Sequence, residues 1–487
     1  PDDRNISMSW ISLFIKLISG RFLPEASLLV TSRPTANEFY SRLSFDRTVE
    51  IIGFSSKEIE AYVQKFCDHY GRKDLKPEIW KYINSTSDIS NLCYIPVNCW
   101  IVCSRLLNIL KNPESKSASL PSTLTELYQE AITNLDKNHF KKFDEQISAV
   151  QITDRNLWSL AFLGIEHGQL VFSSECFDEK MEKSGLLNKL SNPYSQAEQQ
   201  FCFIHLTIQE FLAAKHVTET FNPEEINEFI ASHIKIGKWH LVLQFIAGLL
   251  GQKINKFFKR HYSDCVLAFA KCFTNKNGQL DLTDISLRVI KCLREVNDAE
   301  ILIKKCSDVT AMNDVKKLSY VLQLNGLYVT PPIPPPLALS DWEAVAFVCK
   351  HMKNLVSLHL AVHKVDYGRI VDVTKLLEQR CIKHLKIQSS VNSVIINVKG
   401  AISALLESNC TLEHEHSKVT ELDFCCLRLL GDTWSDFLNF FKQERAHNLE
   451  KLTLQSCFLM SRQAPKSLCD ILTNEYCPKL KYLDLGG

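Results

Sequence analysis

The sequence predicts a multidomain protein that is α/β at its start, mainly helical through its middle and an α/β repeat solenoid at its end. Three observations carry this. A short all-apolar run, 27-SLLVTSRP-34, reads as a strand buried on both faces. From residue 49 to about 320 the apolar period is helical. After 331-PPIPPP-336, which is extended polyproline-like chain, one six-residue apolar pattern returns five times.

Each element follows in order. Residues 10-WISLFIKLISG-20 place apolar side chains at helical spacing and end on a glycine suited to a C-cap. Thr31, Ser32 and Arg33 close the predicted strand at its carboxyl end, where ligands of open parallel sheets bind. In 49-VEIIGFSSKEIEAYVQKFC-67, Ser55 and Glu58 have capping-box spacing, and Ile59, Tyr62, Val63 and Phe66 share one face of the helix that follows. Helix continues through 94-YIPVNCWIVCSRLL-107, and 112-NPESKSASLPS-122 reads as a linker. Thr123 and Glu126 again have capping-box spacing at the start of 124-LTELYQEAITNL-135.

Residues 155–173 read as a helix and a short strand, and 201-FCFIH-205 as a second strand. That strand feeds a helix expected to start at Thr207, with Glu210 completing its cap. A small helical domain carrying a short hairpin is read here as a winged-helix unit. Residues 222-NPEEINEFIASHI-234 and 239-WHLVLQFIAGLLG-251 restart amphipathic helix.

Past the prolines, 355-LVSLHL-360, 382-IKHLKI-387, 419-VTELDF-424, 449-LEKLTL-454 and 480-LKYLDL-485 are all apolar at positions one, four and six. Helical stretches 340-SDWEAVAFVCKHM-352, 434-WSDFLNFFKQ-443 and 466-KSLCDILTN-474 lie between them. Such units are the signature of leucine-rich repeats, in which each strand buries its apolar side chains against the neighbouring repeat.

Composition narrows the function classes. At 487 residues the chain is several domains' worth of sequence, and 45% apolar residues with 23% charged ones is ordinary globular composition. Fifty-six basic residues against 55 acidic ones leave no global field for nucleic acid or an anionic membrane. Many of the 18 cysteines sit in apolar runs such as 99-CWIVC-103 and 424-FCCL-427, the pattern of free thiols in a reducing, cytoplasmic compartment. Cys99-x-x-x-Cys103 has no companion pair at zinc-site spacing, so no metal is expected. No apolar run approaches the ~20 residues that cross a bilayer, and 1-PDDRN-5 is neither a signal peptide nor a methionine start, which suggests a start upstream.

The order of 28-LLVTSRP-34, 50-EIIGFSSKEIEAYVQKF-66, 93-CYIPVNCWIVC-103, 203-FIHLTIQEFLAA-214, 239-WHLVLQFIAGLLG-251 and terminal leucine-rich repeats resembles the NOD-like receptors. The resemblance implies the C-terminal end of a P-loop NACHT domain at 1–46, a helical domain at 47–117 and a winged-helix domain at 118–219. A second helical domain at 220–335 and repeats at 336–487 complete the implied order. It also implies a cytoplasmic innate immune receptor, an ADP/ATP-controlled switch that senses a ligand, oligomerises and engages an adaptor through an upstream effector domain.

Three residues match family positions, and the resemblance implies a role for each. Arg33 resembles the sensor arginine that approaches the γ-phosphate; a guanidinium offers several fixed donors to phosphate oxygens. Pro96 resembles the proline that packs on adenine. His205 resembles the histidine that contacts the β-phosphate of ADP and holds the receptor closed. Read without that context, Arg33 is a solvated charge, Pro96 a helix breaker and His205 a structural residue where a strand meets a helix.

The sequence departs from the family where phosphate is cradled. It contains no G-x-x-x-x-G-K-[ST], the loop whose backbone and lysine hold phosphate and whose Ser/Thr holds Mg²⁺. Enzymatic turnover is not expected of this chain. A second reading is a nucleotide-independent interaction scaffold that presents the repeats to protein partners, and a third is a P-loop remodelling NTPase.

Overall fold

The computed structural model describes residues 10–31, 46–47, 49, 53–85, 87–111, 121–140, 155–178, 181, 185–190, 199–257, 262–272, 279–281, 284–298, 317–322, 339–349, 357–362, 383–389, 419–425, 428–429, 432–442, 446–455, 457–459, 464–473 and 475–486. The chain divides into two units, Pro1–Gly53 with Asn325–Ile333, and Phe54–Leu324 with Pro334–Gly487.

In the first unit, α1 (Trp10–Ile18) forms where its apolar spacing predicts and stops before Gly20, whose φ of +68° and hydrogen bond to the Leu17 carbonyl (3.1 Å) turn the chain. Over the described part of the strand expected at 27–34, residues 27–31 are irregular, and Leu29 is 91% exposed. A strand needs a neighbour to complete its hydrogen-bond ladder, and no described strand lies against this run. Arg33 and the 331–336 prolines lie outside the described residues.

The second unit begins with helices. α2 (Ser56–His69) opens on the predicted capping box: the Ser55 N–H donates to Glu58 Oε2 at 2.7 Å and the Glu58 N–H donates to Ser55 Oγ at 3.4 Å. Ile59, Val63 and Phe66 are buried, as the spacing requires. α3 (Lys76–Ser85), α4 (Ser87–Leu92), α5 (Pro96–Lys111) and α6 (Leu124–Phe140) follow. Most of the predicted linker, 112–120, lies outside the described residues.

α7 (Arg155–His167) leads into an antiparallel sheet of β1 (Phe172–Ser173), β2 (Leu187–Leu190) and β3 (Gln200–Phe203), with β3 in the middle. β3 runs into α8 (Leu206–Thr220), which is followed by α9 (Pro223–His233), α10 (His240–Phe257), α11 (Ser263–Lys271) and α12 (Asp284–Val296). α8 packs against α7 and α10, and buried residues lie all round it, from Thr207 and Ile208 through Phe211 and Leu212 to Val217. A helix enclosed on every side loses the one-sided apolar stripe of a surface helix.

α6, α10 and α12 meet closely. A side chain on Gly248 would overlap Thr125 Oγ1, and one on Gly251 would overlap the Val296 carbonyl oxygen, so both positions of α10 admit only glycine without rearrangement. The contact brings Glu295 of α12 to the start of α6, where its Oε1 accepts the Leu124 N–H (3.1 Å) and its Oε2 the Thr125 N–H (3.0 Å) and hydroxyl (2.7 Å). Half of the cap predicted for α6 also forms: the Glu126 N–H donates to Thr123 Oγ1 (3.2 Å), but the Glu126 carboxylate takes the Ser122 N–H (2.8 Å).

The last part is a seven-stranded parallel sheet. Its strands are β4 (Gln279–Asp281), β5 (Lys317–Leu322), β6 (Ser357–Val362), β7 (His384–Ser389), β8 (Glu421–Cys425), β10 (Lys451–Thr453) and β12 (Tyr482–Asp484), neighbours in that order. β9 (Arg428–Leu429) and β11 (Phe458–Leu459) pair separately, and α13 (Leu339–Cys349), α14 (Asp432–Lys442) and α15 (Ala464–Ile471) lie between strands. All five predicted segments contribute a strand.

β4 and β5 correct the expectation that helical pattern runs to about 320, because the sheet already begins at residue 279. The signal was present: 315-VKKLSY-320 is also apolar at positions one, four and six. Register places Leu280, Leu318, Leu358, Leu385, Leu422, Leu452 and Leu483 in one row across the sheet. Leu385 and Leu422 are each 1% exposed, whereas Leu483 on the last described strand is 43% exposed. Each buried leucine stabilises the stack by roughly 1.5–3 kcal/mol.

Candidate functional site

His205 is where the structure sharpens the sequence reading most. α8 starts at Leu206, not Thr207, and its N-cap is His205 itself, in extended backbone (φ −152°, ψ 140°). The Thr207 N–H donates to His205 Nδ1 at 3.2 Å, so the ring performs the service expected of the Thr207 hydroxyl. Thr207 and Glu210 lie inside the helix, 7% and 4% exposed.

This cap fixes the ring's chemistry. A nitrogen that accepts a backbone N–H carries no proton, so a neutral ring holds its proton on Nε2. A donor at the N-terminus of a 15-residue helix is matched to an anion, because the helix dipole favours negative charge there. The helix supplying that dipole is enclosed by the core, so the histidine sits on a rigid support.

Pro96 is the first residue of α5 and is exposed. The Cys99 N–H bonds the Ile95 carbonyl at 3.0 Å, which closes the first turn around the proline. Proline suits this position because the first turn leaves its N–H unpaired anyway. Its bland role as punctuation between α4 and α5 is therefore real, and its exposed ring is also free to meet a flat apolar group.

Behind Pro96 the helix is tied down. Asn98, 1% exposed, accepts a hydrogen bond at 3.0 Å from the Tyr128 hydroxyl of α6. Cys93, Cys99 and Cys103 are fully buried, and Cys99 accepts hydrogen bonds from the Cys103 and Cys93 thiols, which draw its own thiol down. Burial holds the nearby Tyr94 hydroxyl above the usual tyrosine range. The described cysteines are all free thiols, and among the described residues no group of His, Cys, Asp and Glu is arranged to hold a metal ion.

The structure describes two of the three predicted site residues and places each at the first turn of a helix, with Arg33 outside the described residues. Sequence reasoning missed Asn98 and Tyr128, which support the Pro96 turn from behind. Their signal was thin, since a tyrosine in an amphipathic helix reads as ordinary core.

Comparison with known proteins agrees with the motif order. The chain is 25% identical over 511 residues to "NACHT, LRR and PYD domains-containing protein 3" of Bos taurus, covering 97% of the chain and 46% of that protein. It is 24% identical over 507 residues to "NACHT, LRR and PYD domains-containing protein 4C" of Mus musculus, 96% of the chain and 47% of that protein. Protein 12 of the same series from Homo sapiens matches at 24% over 343 residues, 64% of the chain and 31% of that protein. No family model matches the chain. Its curated homologues over most of its length are thus NACHT-and-LRR proteins, and the resemblance to the NOD-like receptors holds. The chain spans about half the length of the relatives that match it end to end. No described helix is long and apolar enough to cross a membrane.

Proposed function

We propose that the chain is the part of a cytoplasmic innate immune receptor that closes over ADP and presents a leucine-rich-repeat solenoid to protein partners. In this reading residues 1–46 end a NACHT domain, 47–117 form a helical domain, 118–219 form a winged helix, and the helices between 220 and 296 form a second helical domain. His205 donates from Nε2 to the β-phosphate, Arg33 approaches the γ-phosphate of ATP, and Pro96 packs on adenine. The nucleotide supplies no chemistry to a substrate; it holds the domains closed, and exchange shifts the receptor toward an oligomer through its different affinity for the two states. Phosphate-cradling backbone and Mg²⁺ ligands come from sequence upstream, as does the domain that engages an adaptor. Hydrolysis, if any, resets the switch. Membrane and nucleic acid are not partners in this reading.

The observation that supports it is the His205 cap, which commits Nδ1 to the backbone and leaves Nε2 as a donor at a helix N-terminus. Titration of the full-length protein with ADP in a thermal-shift assay tests it. Binding to the native state alone raises stability by about 2.7 kcal/mol at 100 times Kd. Absence of any shift at millimolar ADP would overturn the switch and leave the scaffold reading. What favours that alternative is the parallel sheet, whose face carries the ion pair Lys386–Asp423 (3.0 Å) beside the polar contact His384–Glu421 (3.2 Å).

A further inference from the structure

We infer that Tyr128 is a positioning residue that ties the Pro96 wall of the proposed nucleotide site to the His205 wall; the inference rests on that proposed site. Asn98 lies in the first turn of α5, two residues beyond Pro96, and the Tyr128 hydroxyl holds it from α6 at 3.0 Å. Both residues are 1% exposed, so no water replaces this bond. On its other side the Tyr128 ring meets Phe245 of α10 edge-on, with centroids 5.4 Å apart and planes at 64°. Phe245 in turn meets Phe211 of α8 edge-on at 5.1 Å and 83°. Phe211 belongs to the helix that His205 caps, and both phenylalanines are fully buried.

Asn98, Tyr128, Phe245 and Phe211 therefore form one buried line between the two helix starts. Edge-to-face rings have a preferred geometry, and a close-packed interior passes a displacement on instead of absorbing it. The line leaves the first helical domain at Asn98, passes through Tyr128 and Phe245, and ends at Phe211 in the winged-helix segment, so it joins the two segments that carry Pro96 and His205.

The test uses the full-length receptor and ADP affinity measured by calorimetry. Tyr128→Phe removes the hydroxyl alone, and His205→Asn keeps a good N-cap while removing the ring donor. Each change is expected to weaken ADP binding about tenfold, and the double variant to lose clearly less than the product of the two. A merely structural Tyr128 would give independent effects that multiply. Should Tyr128→Phe fail to fold, Phe245→Leu breaks the same line with little volume change and is expected to show the same non-additivity. Wild-type affinity in Tyr128→Phe, or multiplying effects, would overturn the positioning role while the nucleotide site stands. Failure of the wild-type receptor to bind ADP would overturn both.

Discussion

Glu295 is the residue whose replacement the structure prices most directly. Its Oε1 accepts the Leu124 N–H at 3.1 Å and the Gln244 side-chain amide at 3.4 Å, and its Oε2 accepts the Thr125 N–H and hydroxyl at 3.0 and 2.7 Å. Glu295→Ala leaves both backbone N–H groups without this acceptor in a buried place. At about 1–3 kcal/mol for each stranded donor, the loss comes to about 2–6 kcal/mol. Glu295→Gln keeps one acceptor oxygen and turns an NH₂ toward one donor pair, so about 1–3 kcal/mol is expected. Urea denaturation of the chain at neutral pH measures both, read as a shift of midpoint at constant slope. The pH dependence adds a second check. Burial, outweighing the hydrogen bonds from Thr125 and Leu124, raises the Glu295 carboxyl above its ordinary 4.5. A group with a raised folded pKa contributes its stability below the unfolded value and loses it as pH rises through the folded one. Wild type therefore loses stability relative to Glu295→Gln as pH climbs from about 4.5, the ordinary value. An alanine variant within 0.5 kcal/mol of wild type would refute the capping role, since typical neutral surface changes lie in that range.

Other variants test neighbouring claims. Gly251→Ala forces a methyl group into the Val296 carbonyl and is expected to lower stability by about 1–3 kcal/mol, whereas Gly71→Ala, with no atom near its added Cβ, is expected to show only the smaller strain of its positive φ; denaturation midpoints compare them. Leu422→Ala, in the middle of the leucine row, is expected to cost about 2–5 kcal/mol and to expose the sheet to limited proteolysis, while Leu483→Ala on the exposed last strand costs less than 1 kcal/mol. His205→Asn is expected to leave the thermal stability of the nucleotide-free protein unchanged and to raise basal oligomerisation of the full-length receptor, measured by light scattering; an unchanged oligomeric state would count against the clamp.

Local signals were legible where one short stretch decides the outcome. The Ser55–Glu58 cap, the helical pattern over 94–107 and the five apolar hexads needed nothing from elsewhere in the chain. Residues 27–31 of the expected strand are irregular because strands are completed by partners, and a sequence run does not say whether a partner stands beside it. β4 and β5 were hidden by degeneracy: 315-VKKLSY-320 keeps the spacing with a tyrosine in place of leucine, and 279–281 keeps little more than Leu280. At His205 the sequence showed the joint between strand and helix, while the cap was read one step late because Thr207 and Glu210 imitate a better-known cap. Glu295 was beyond reach, since its partners stand 170 residues upstream in the chain.

That separation has a consequence for synthesis. At roughly 5–20 residues per second, a ribosome makes the start of α6 about 10–30 s before it makes the carboxylate that caps it. Throughout that interval the start of α6 lacks the carboxylate that accepts its Leu124 and Thr125 N–H groups. Closure comes only when α12 emerges, so this middle region is secured late and all at once.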